Sequence, residues 1–342
     1  MNIVKKSHRV LCFLLALSML AALAGCGENP SSSAASASAS EKSSEEQQGH
    51  YPVTVTTYDE KGNEIQQTFT KRPERVISIS QANTEILLSL GLGDLIVGTA
   101  HRTSTPWEQT AAEYESLNFL AMDDYPSKEV VLSLEPDLIV GWYSLFSEED
   151  LGAVSNWNER GINTYMMKNT VSGLGKRNFE YLIEDLENFG RIFDVEEKTN
   201  AMIEDIRSRL KAVEEKTGSV PMEERPSVLT VQMLKENEWF ARASTDLTAN
   251  IIELAGGRCL DEDYGYASME VLIEKNPDAI LVIDRETKPA ADTIQGLLDN
   301  PALAEVPAVK NKNFYTITHV SFYCGSMQTI EDIEGLSEVL SK

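Results

Sequence analysis

Apolar and polar residues alternate in "VTVTTYDEKGNEIQQTFT", residues 53–70, around Gly62 and Asn63, a period-two pattern that predicts a β-hairpin. Downstream the pattern changes. "RVISI" (75–79) and "LIVGTA" (95–100) are short apolar runs of the kind a strand buried on both faces requires, and between them "NTEILLSLG" predicts a helix from Asn83 that stops at Gly91. "SKEVVLSLEPDLIVGW" (127–142) reads as a helix broken at Pro136 and followed by a strand, and "INTYMMK" (162–168) as a further strand. Met202, Ile203, Ile206, Leu210 and Val213 then recur at helical spacing, with no Gly or Pro between 195 and 217. One uninterrupted helix roughly 33 Å long is expected there, with Asp194 as N-cap, Glu197 completing a capping box and Gly218 ending it. The alternation then restarts: "SVLTVQM", a helix at "TANIIELAGG", "SMEVLIEKNPDAILVI", "FYTIT", and a terminal helix near "IEDIEGLSEVL". Strands alternating with helices predict mostly parallel sheets flanked by helices. The restart predicts an α/β fold of two similar lobes joined by one long spanning helix, with a ligand cleft between the lobes. The expected parts are an N-terminal lobe 51–194, an interlobe helix 195–217 and a C-terminal lobe 218–342. A helix with no flexible residue should act as a stiff hinge and allow only slight closure.

The N-terminus carries an export pattern. Lys5, Lys6 and Arg9 precede the apolar stretch "VLCFLLALSMLAALAG", which small residues close before Cys26. "LAGC" resembles the bacterial lipobox, which implies cleavage after residue 25 and lipid on Cys26. Residues 26–50 follow, rich in Ser and Ala and nearly free of large apolar groups, so they are expected to form a disordered tether. The formal charge of −24 becomes −27 without the signal peptide. That balance excludes a basic nucleic-acid footprint and disfavours adsorption to anionic lipid. Of the four cysteines, Cys12 leaves with the signal and Cys26 takes the lipid; Cys259 and Cys324 remain as a pair that could form a disulfide or stay as thiols.

One sentence is written twice. "SKEVVLSLEPDLIV" starts at Ser127 and "SMEVLIEKNPDAILV" at Ser268, each with Ser-x-Glu-Val and Pro-Asp seven residues after the Glu. The Ser can cap a helix and the Glu lies in its first turn, where a carboxylate is favoured by unpaired amides. Repetition of a good helix start is therefore one reading of Glu129 and Glu270. The hairpin, "RVISISQANTEILLSLG", the first copy, the long helix and "YASMEVLIEKNPDAILV" occur in an order that resembles the iron-siderophore and cobalamin substrate-binding proteins of ATP-binding-cassette importers, over residues 51–342. The resemblance implies a second reading. Glu129 and Glu270 would sit on the outer tip of each lobe and dock onto arginines of the two permease subunits, which work with ATPase subunits. It further implies a monomer at the extracytoplasmic face of a bacterial cell membrane, held there by lipid. Glu85, in "NTEILL", lacks the following Pro-Asp and is left as a helix-start residue beside the cleft.

Ligands of open α/β sheets bind beyond the carboxyl ends of strands. The loops expected there offer Ser80, Gln81, His101, Arg102, Trp142, Tyr143 and Lys168 from the first lobe. The second offers Trp239, Arg242, Tyr264, Tyr266, Arg285, His319, Phe322 and Tyr323. Guanidinium pairs with carboxylate or catecholate oxygens and aromatic faces pack on a bulky organic body, so a large anionic chelate of the ferric-siderophore type fits. Arg102, Trp142, Tyr143, Trp239, Arg242, Tyr266, Arg285, His319 and Tyr323 are the chosen ligand contacts. Two alternatives stay open: a corrinoid held by aromatic walls, and a heme with His101, His319 or Tyr323 as axial ligand. No His, Cys or carboxylate spacing matches a dedicated metal cage, and no cofactor is expected. An enzyme is not expected, because Gly-x-Ser-x-Gly, Walker, His-Glu-x-x-His and Gly-x-Gly-x-x-Gly signatures are all missing. A secreted hydrolase and a surface adhesin or sensor remain the remote alternatives.

Overall fold

The computed structural model describes residues 49–122 and 124–341. The expected signal peptide 1–25, the lipidated Cys26 and the tether as far as Gln48 lie outside the described residues. His50, counted with the tether, belongs to the folded body. Its Nε2 lies 2.7 Å from the Arg191 carbonyl and its ring meets Tyr51 edge-on.

The hairpin forms as expected. Strand β1 (Val53–Tyr58) pairs antiparallel with β2 (Glu64–Phe69), Val53 opposite Phe69. The Asp59 carboxylate closes the turn by accepting from the amides of Lys61 and Asn63 at 2.9 and 2.8 Å. The first lobe is then built on five parallel strands, β3 (Val76–Ile79), β4 (Ile96–Ala100), β5 (Phe119–Ala121), β6 (Leu138–Gly141) and β7 (Asn163–Met166), in the order β5-β4-β3-β6-β7. The second lobe carries β8 (Ser227–Lys235), β9 (Glu238–Ala241), β10 (Arg258–Cys259), β11 (Gly265–Ser268), β12 (Ala279–Asp284) and β13 (Phe314–Thr318). Its order is β11-β9-β8-β12-β13, with β10 paired to the start of β8 and β9 the antiparallel member.

Every residue of β3 and β6 is buried, as two-sided coverage by helices demands. Alternate residues feed different cores. Val76, Leu138 and Val140 join Leu281, Ile283 and Ile317 of the other lobe in one apolar cluster that runs through both lobes. Ile77, Ile139 and Met166 face a second cluster with Phe146 and Trp157, and Val231, Ile280 and Val282 a third with Leu272 and Leu297. The shared cluster lies along helices Glu180–Phe193, Glu196–Thr217 and Thr329–Leu340. The long helix buries Ile203, Ile206 and Val213 against it. Near its middle it is also tied to both neighbouring helices: Arg207 pairs with Glu180 at 3.0 Å, and Arg209 holds Glu334 through two bonds of 2.9 and 2.6 Å.

Two expectations need correction, one helix was missed, and the open choice for the cysteines falls to free thiols. Asp194 is not the N-cap of the long helix, which starts after Val195 with no side-chain cap. It is instead the left-handed C-cap (φ 56°) of helix Glu180–Phe193, where the chain must turn from one helix into the next and Asp tolerates that region better than most residues. Helix Glu180–Phe193 itself was not anticipated, although Leu182, Ile183, Leu186, Phe189 and Phe193 are spaced for it and all are buried. The helix expected from Asn83 begins at Gln81, directly after Ser80, which is held at φ 102°. Finally, Cys259 and Cys324 are both free thiols. Cys259 lies level with Val228 at the start of β8, and Cys324 lies six residues past Thr318 at the far end of β13. Five strand residues separate those levels, roughly 16 Å, against the ~7 Å limit between α-carbons for a disulfide.

Candidate ligand cleft and docking tips

Parallel strands deliver their following loops to one edge, and each sheet's carboxyl edge faces the other lobe. From β4 comes His101, from β6 Trp142 and Tyr143, from β12 Arg285 and from β13 His319. The two walls meet in a chain of rings. Trp142 of the first lobe lies 4.6 Å from Tyr323 of the second at 33°. His101 packs on Trp142 and on Tyr125, both at 5.0 Å, and His319 stacks on Tyr323 at 5.8 Å. On the other side the Arg242 guanidinium lies 4.8 Å from the rings of both Phe322 and Tyr264, and Phe240 meets Tyr264 and Tyr266 edge-on at 4.8 and 4.9 Å. Two groups of rings, Tyr125 to Phe322 and Tyr264 to Tyr266, are therefore joined through the Arg242 guanidinium. Hydrogen bonds also cross between walls: His319 Nδ1 lies 3.1 Å from Thr103 Oγ1, the Glu286 amide donates to the Thr103 carbonyl at 3.2 Å, and Asn169 donates to the Cys324 carbonyl at 3.1 Å.

The chosen residues do not all reach this lining. Trp239 is a correction: it is buried among Leu229, Val231, Met269 and Leu272, and its Nε1 donates to the Ser268 carbonyl at 3.1 Å. The segment is strand β9 rather than loop, so Trp239 and Ala241 point into the core while Phe240 and Arg242 take the opposite face. Ser80 and Gln81 lie beneath the wall, wholly buried; the Gln81 side-chain oxygen accepts from the amides of Thr103 and Ser104 and so braces the loop that carries His101. Glu85 is buried behind them, accepting from Gln81 and from the Trp107 amide, and burial pushes its carboxyl up to about 7. Lys168 is paired with Glu184 and covers the Tyr181 ring. Tyr125, Phe240 and Arg177, the last lying 4.7 Å over Tyr323, join the lining without having been chosen from sequence. Tyr125 did carry a signal: it stands four residues before Glu129, as Tyr266 does before Glu270.

Charge in the cleft is unevenly satisfied. Arg102 bridges Glu115 of its own lobe at 2.8 Å and Glu286 of the other at 3.3 Å, so it ties the lobes together. Arg242 is buried against Asp246 at 2.6 Å and Gln232 at 3.0 Å. Arg285 differs. Among the described residues no carboxylate lies within ion-pair distance of it, and its buried Nε has no hydrogen-bond partner. Burial and the neighbouring Arg242 hold its pKa below the usual guanidinium range. The same two guanidiniums, after burial, keep the His319 imidazole neutral by pushing its pKa well down. A half-buried guanidinium with no carboxylate partner among the described residues, in so acidic a chain, is a site that favours an anion. Away from the walls, His50, Asp194 and Glu196 bring ligand-type atoms within 4.8 Å of one another, a cluster that sequence spacing did not reveal, since 144 residues separate its first two members.

The repeated segments occupy matching places. Helices Lys128–Ser133 and Met269–Lys275 both start at the carboxyl-edge level of their sheets, the second because Ser268 pairs opposite Glu238 at the end of β8 and β9. Glu129 and Glu270 are exposed. Hydrogen bonds hold both carboxyls below the usual range, Glu129 chiefly through its own amide and then the Ser127 hydroxyl, Glu270 chiefly through the Ser268 hydroxyl and then its own amide. Among the described residues, neither forms an ion pair, and no helix is long and apolar enough to cross a membrane.

Residues 76–320 match a family model described as periplasmic binding protein. An uncharacterized ABC transporter substrate-binding lipoprotein, YvrC, of Bacillus subtilis is 25% identical over 94% of this chain and 95% of its own length. A vitamin B12-binding protein of Vibrio vulnificus is 22% identical over 71% of this chain and 81% of its own. The crystal structure of an ABC-type Fe3+-hydroxamate transport system from Saccharomonospora viridis superposes with a TM-score of 0.69 at 21% identity, over 86% of this chain and all of the other.

Proposed function

Because the chain belongs to the periplasmic binding protein family, we propose that it is the extracytoplasmic receptor of an ABC importer and that it captures a bulky anionic metal chelate of the ferric-siderophore type. The observation that carries the ligand class is Arg285, a half-buried guanidinium without a carboxylate partner among the described residues, set beside Arg242 and Tyr264. An anionic oxygen there gains a charge-assisted hydrogen bond and relieves the repulsion from Arg242. The neighbour named for Fe3+-hydroxamate transport supports this class. A corrinoid is the second reading, favoured by the two groups of rings that Arg242 joins and by the relative named for vitamin B12 binding.

Delivery rests on Glu129 and Glu270, which we assign to docking on arginines of the two permease subunits. Their exposure, their matching places and their ionised state support that role. Cys26 is assigned to lipid attachment, in keeping with the relative named as a lipoprotein.

The test is titration of Trp fluorescence with ferric chelates, cobalamin and heme, in wild type and in Arg285→Ala. Loss of one charged hydrogen bond corresponds to about 1.5–3 kcal/mol, or roughly ten- to hundredfold in affinity. An Arg285→Ala protein that binds every ferric chelate as wild type does, while cobalamin binds both, would replace the siderophore reading by the corrinoid one.

A further inference from the structure

Within the repeated segment, most matching positions have work inside their own lobe. Val131 and Leu272 are wholly buried. Asp137 accepts from the amides of Glu74 and Arg75 at 3.0 and 2.9 Å, and Asp278 from the amide of Ser227 at 2.8 Å, so each stitches its segment to the first strand of its sheet. Of the matching positions exposed in both copies, two keep the same chemical type. One is the glutamate. The other is the aliphatic residue three places on, Leu132 and Ile273, which are 40% and 39% exposed and belong to none of the three apolar clusters. A spacing of three places the aliphatic side chain on the same helix face as the carboxylate.

A single exposed Leu or Ile needs no explanation. Here the same exposure recurs on both lobes, at the same distance from the same carboxylate, while the neighbouring pair differs: Val130 is exposed, whereas Val271 packs against the core of the second lobe. Resting on the docking reading above, we propose that each lobe tip presents a two-part contact, a carboxylate with an aliphatic anchor one turn away: Glu129 with Leu132, and Glu270 with Ile273. The partner is the permease, each of whose two subunits would offer a guanidinium beside an apolar hollow. The carboxylate supplies orientation and encounter, and the aliphatic group excludes water around the ion pair, which strengthens it.

The experiment measures binding of the full-length protein to the permease–ATPase complex of its own transport system in nanodiscs. Three proteins are compared: wild type, Glu129→Gln/Glu270→Gln and Leu132→Ala/Ile273→Ala. All substituted side chains are exposed, so the melting temperature should stay within about 2 °C of wild type. The aliphatic double variant should bind about tenfold more weakly through a faster off-rate. Leu132→Met/Ile273→Leu should restore the affinity, because a side chain of similar volume fills the same hollow. Wild-type affinity for the aliphatic double variant, together with weakened binding of the Gln variant, overturns this inference and leaves docking by glutamate standing. Wild-type affinity for both variants overturns the docking reading, and this inference with it.

Discussion

The two copies of the repeated segment differ in how they are held inside their lobes, while their exposed glutamate and aliphatic positions match. In the first lobe the helix is fed by a loop, and the Ser127 hydroxyl accepts from the Val130 amide at 3.4 Å. In the second it is fed by strand β11. Ser268 lends its carbonyl to Trp239, and its hydroxyl bonds to the Glu270 carboxylate rather than to an amide. At the helix end the copies agree in backbone but not in residue: Glu135 and Asn276, each eight places after the Ser, have φ of 45° and 46°. Asn suits that left-handed region; Glu does not. The serine's partner and the helix-end residue differ between the copies, whereas the Asp stitch, the exposed carboxylate and the exposed aliphatic residue recur.

The Pro-Asp stitches give the largest expected effect on stability. Asp137→Ala and Asp278→Ala should each cost about 1.5–3 kcal/mol, since each breaks charge-assisted bonds to strand amides. Urea unfolding monitors them. A loss confined to one lobe's variant would show that the copies do not share this internal role.

Next in size is a pH dependence to which both lobes contribute. Each holds two buried carboxyls pushed upward by burial: Glu85 to about 7 and Asp185 to about 8 in the first, Asp261 and Asp332 to about 7 in the second. Unfolded, these groups ionise near pH 4, so between there and pH 7–8 the folded state binds more protons. Stability therefore falls as pH rises through that window. His319 acts oppositely, because its depressed folded pKa withdraws stability as pH falls below its ordinary value near 6.5. Four groups outweigh one, so the melting temperature should rise by several degrees between pH 8.5 and 6, at about 2–4 °C per kcal/mol. Asp185→Asn keeps an acceptor for the Tyr165 hydroxyl and the Lys168 amide and should flatten part of the slope. A slope unchanged in that variant would exclude Asp185 as a contributor.

The smallest effect tests the helix ends. Glu135→Asn should stabilise the protein by about 0.5–1 kcal/mol by making the first copy like the second, and Asn276→Glu should destabilise it by a similar amount. Equal melting temperatures for all three proteins would mean that the left-handed backbone carries no residue preference here.

The architecture was legible because burial imposes its period on the chain. Strands buried on both faces must be nearly all apolar, and β6 is, as are β3 except for Ser78 and β12 except for its last residue, Asp284; an amphipathic helix must repeat every three to four residues, and Ile203, Ile206 and Val213 did. The carboxyl-edge rule likewise placed His101, Trp142, Arg285 and His319 on facing walls, because it follows from parallel strand direction alone. The repeat was legible as a motif, and Glu129 and Glu270 are exposed as their place in a first turn requires.

Pairwise contacts and side-chain parity were decided by the tertiary structure. That Arg102 is neutralised by Glu115 and Glu286 while Arg285 has no such partner among the described residues depends on groups up to 184 residues apart. Trp142 and Tyr323 stack across the lobes although nothing near either residue announces the other. Trp239 faces the core because its segment is strand rather than loop, and alternate strand residues take opposite faces. Cys259 and Cys324 stay apart because they lie at opposite ends of parallel strands. The physical reason is common to all of these. Periodicity and capping are local free energies summed along the chain, whereas ion pairing, ring stacking and disulfide geometry depend on distances that exist only once both lobes have packed onto their shared core.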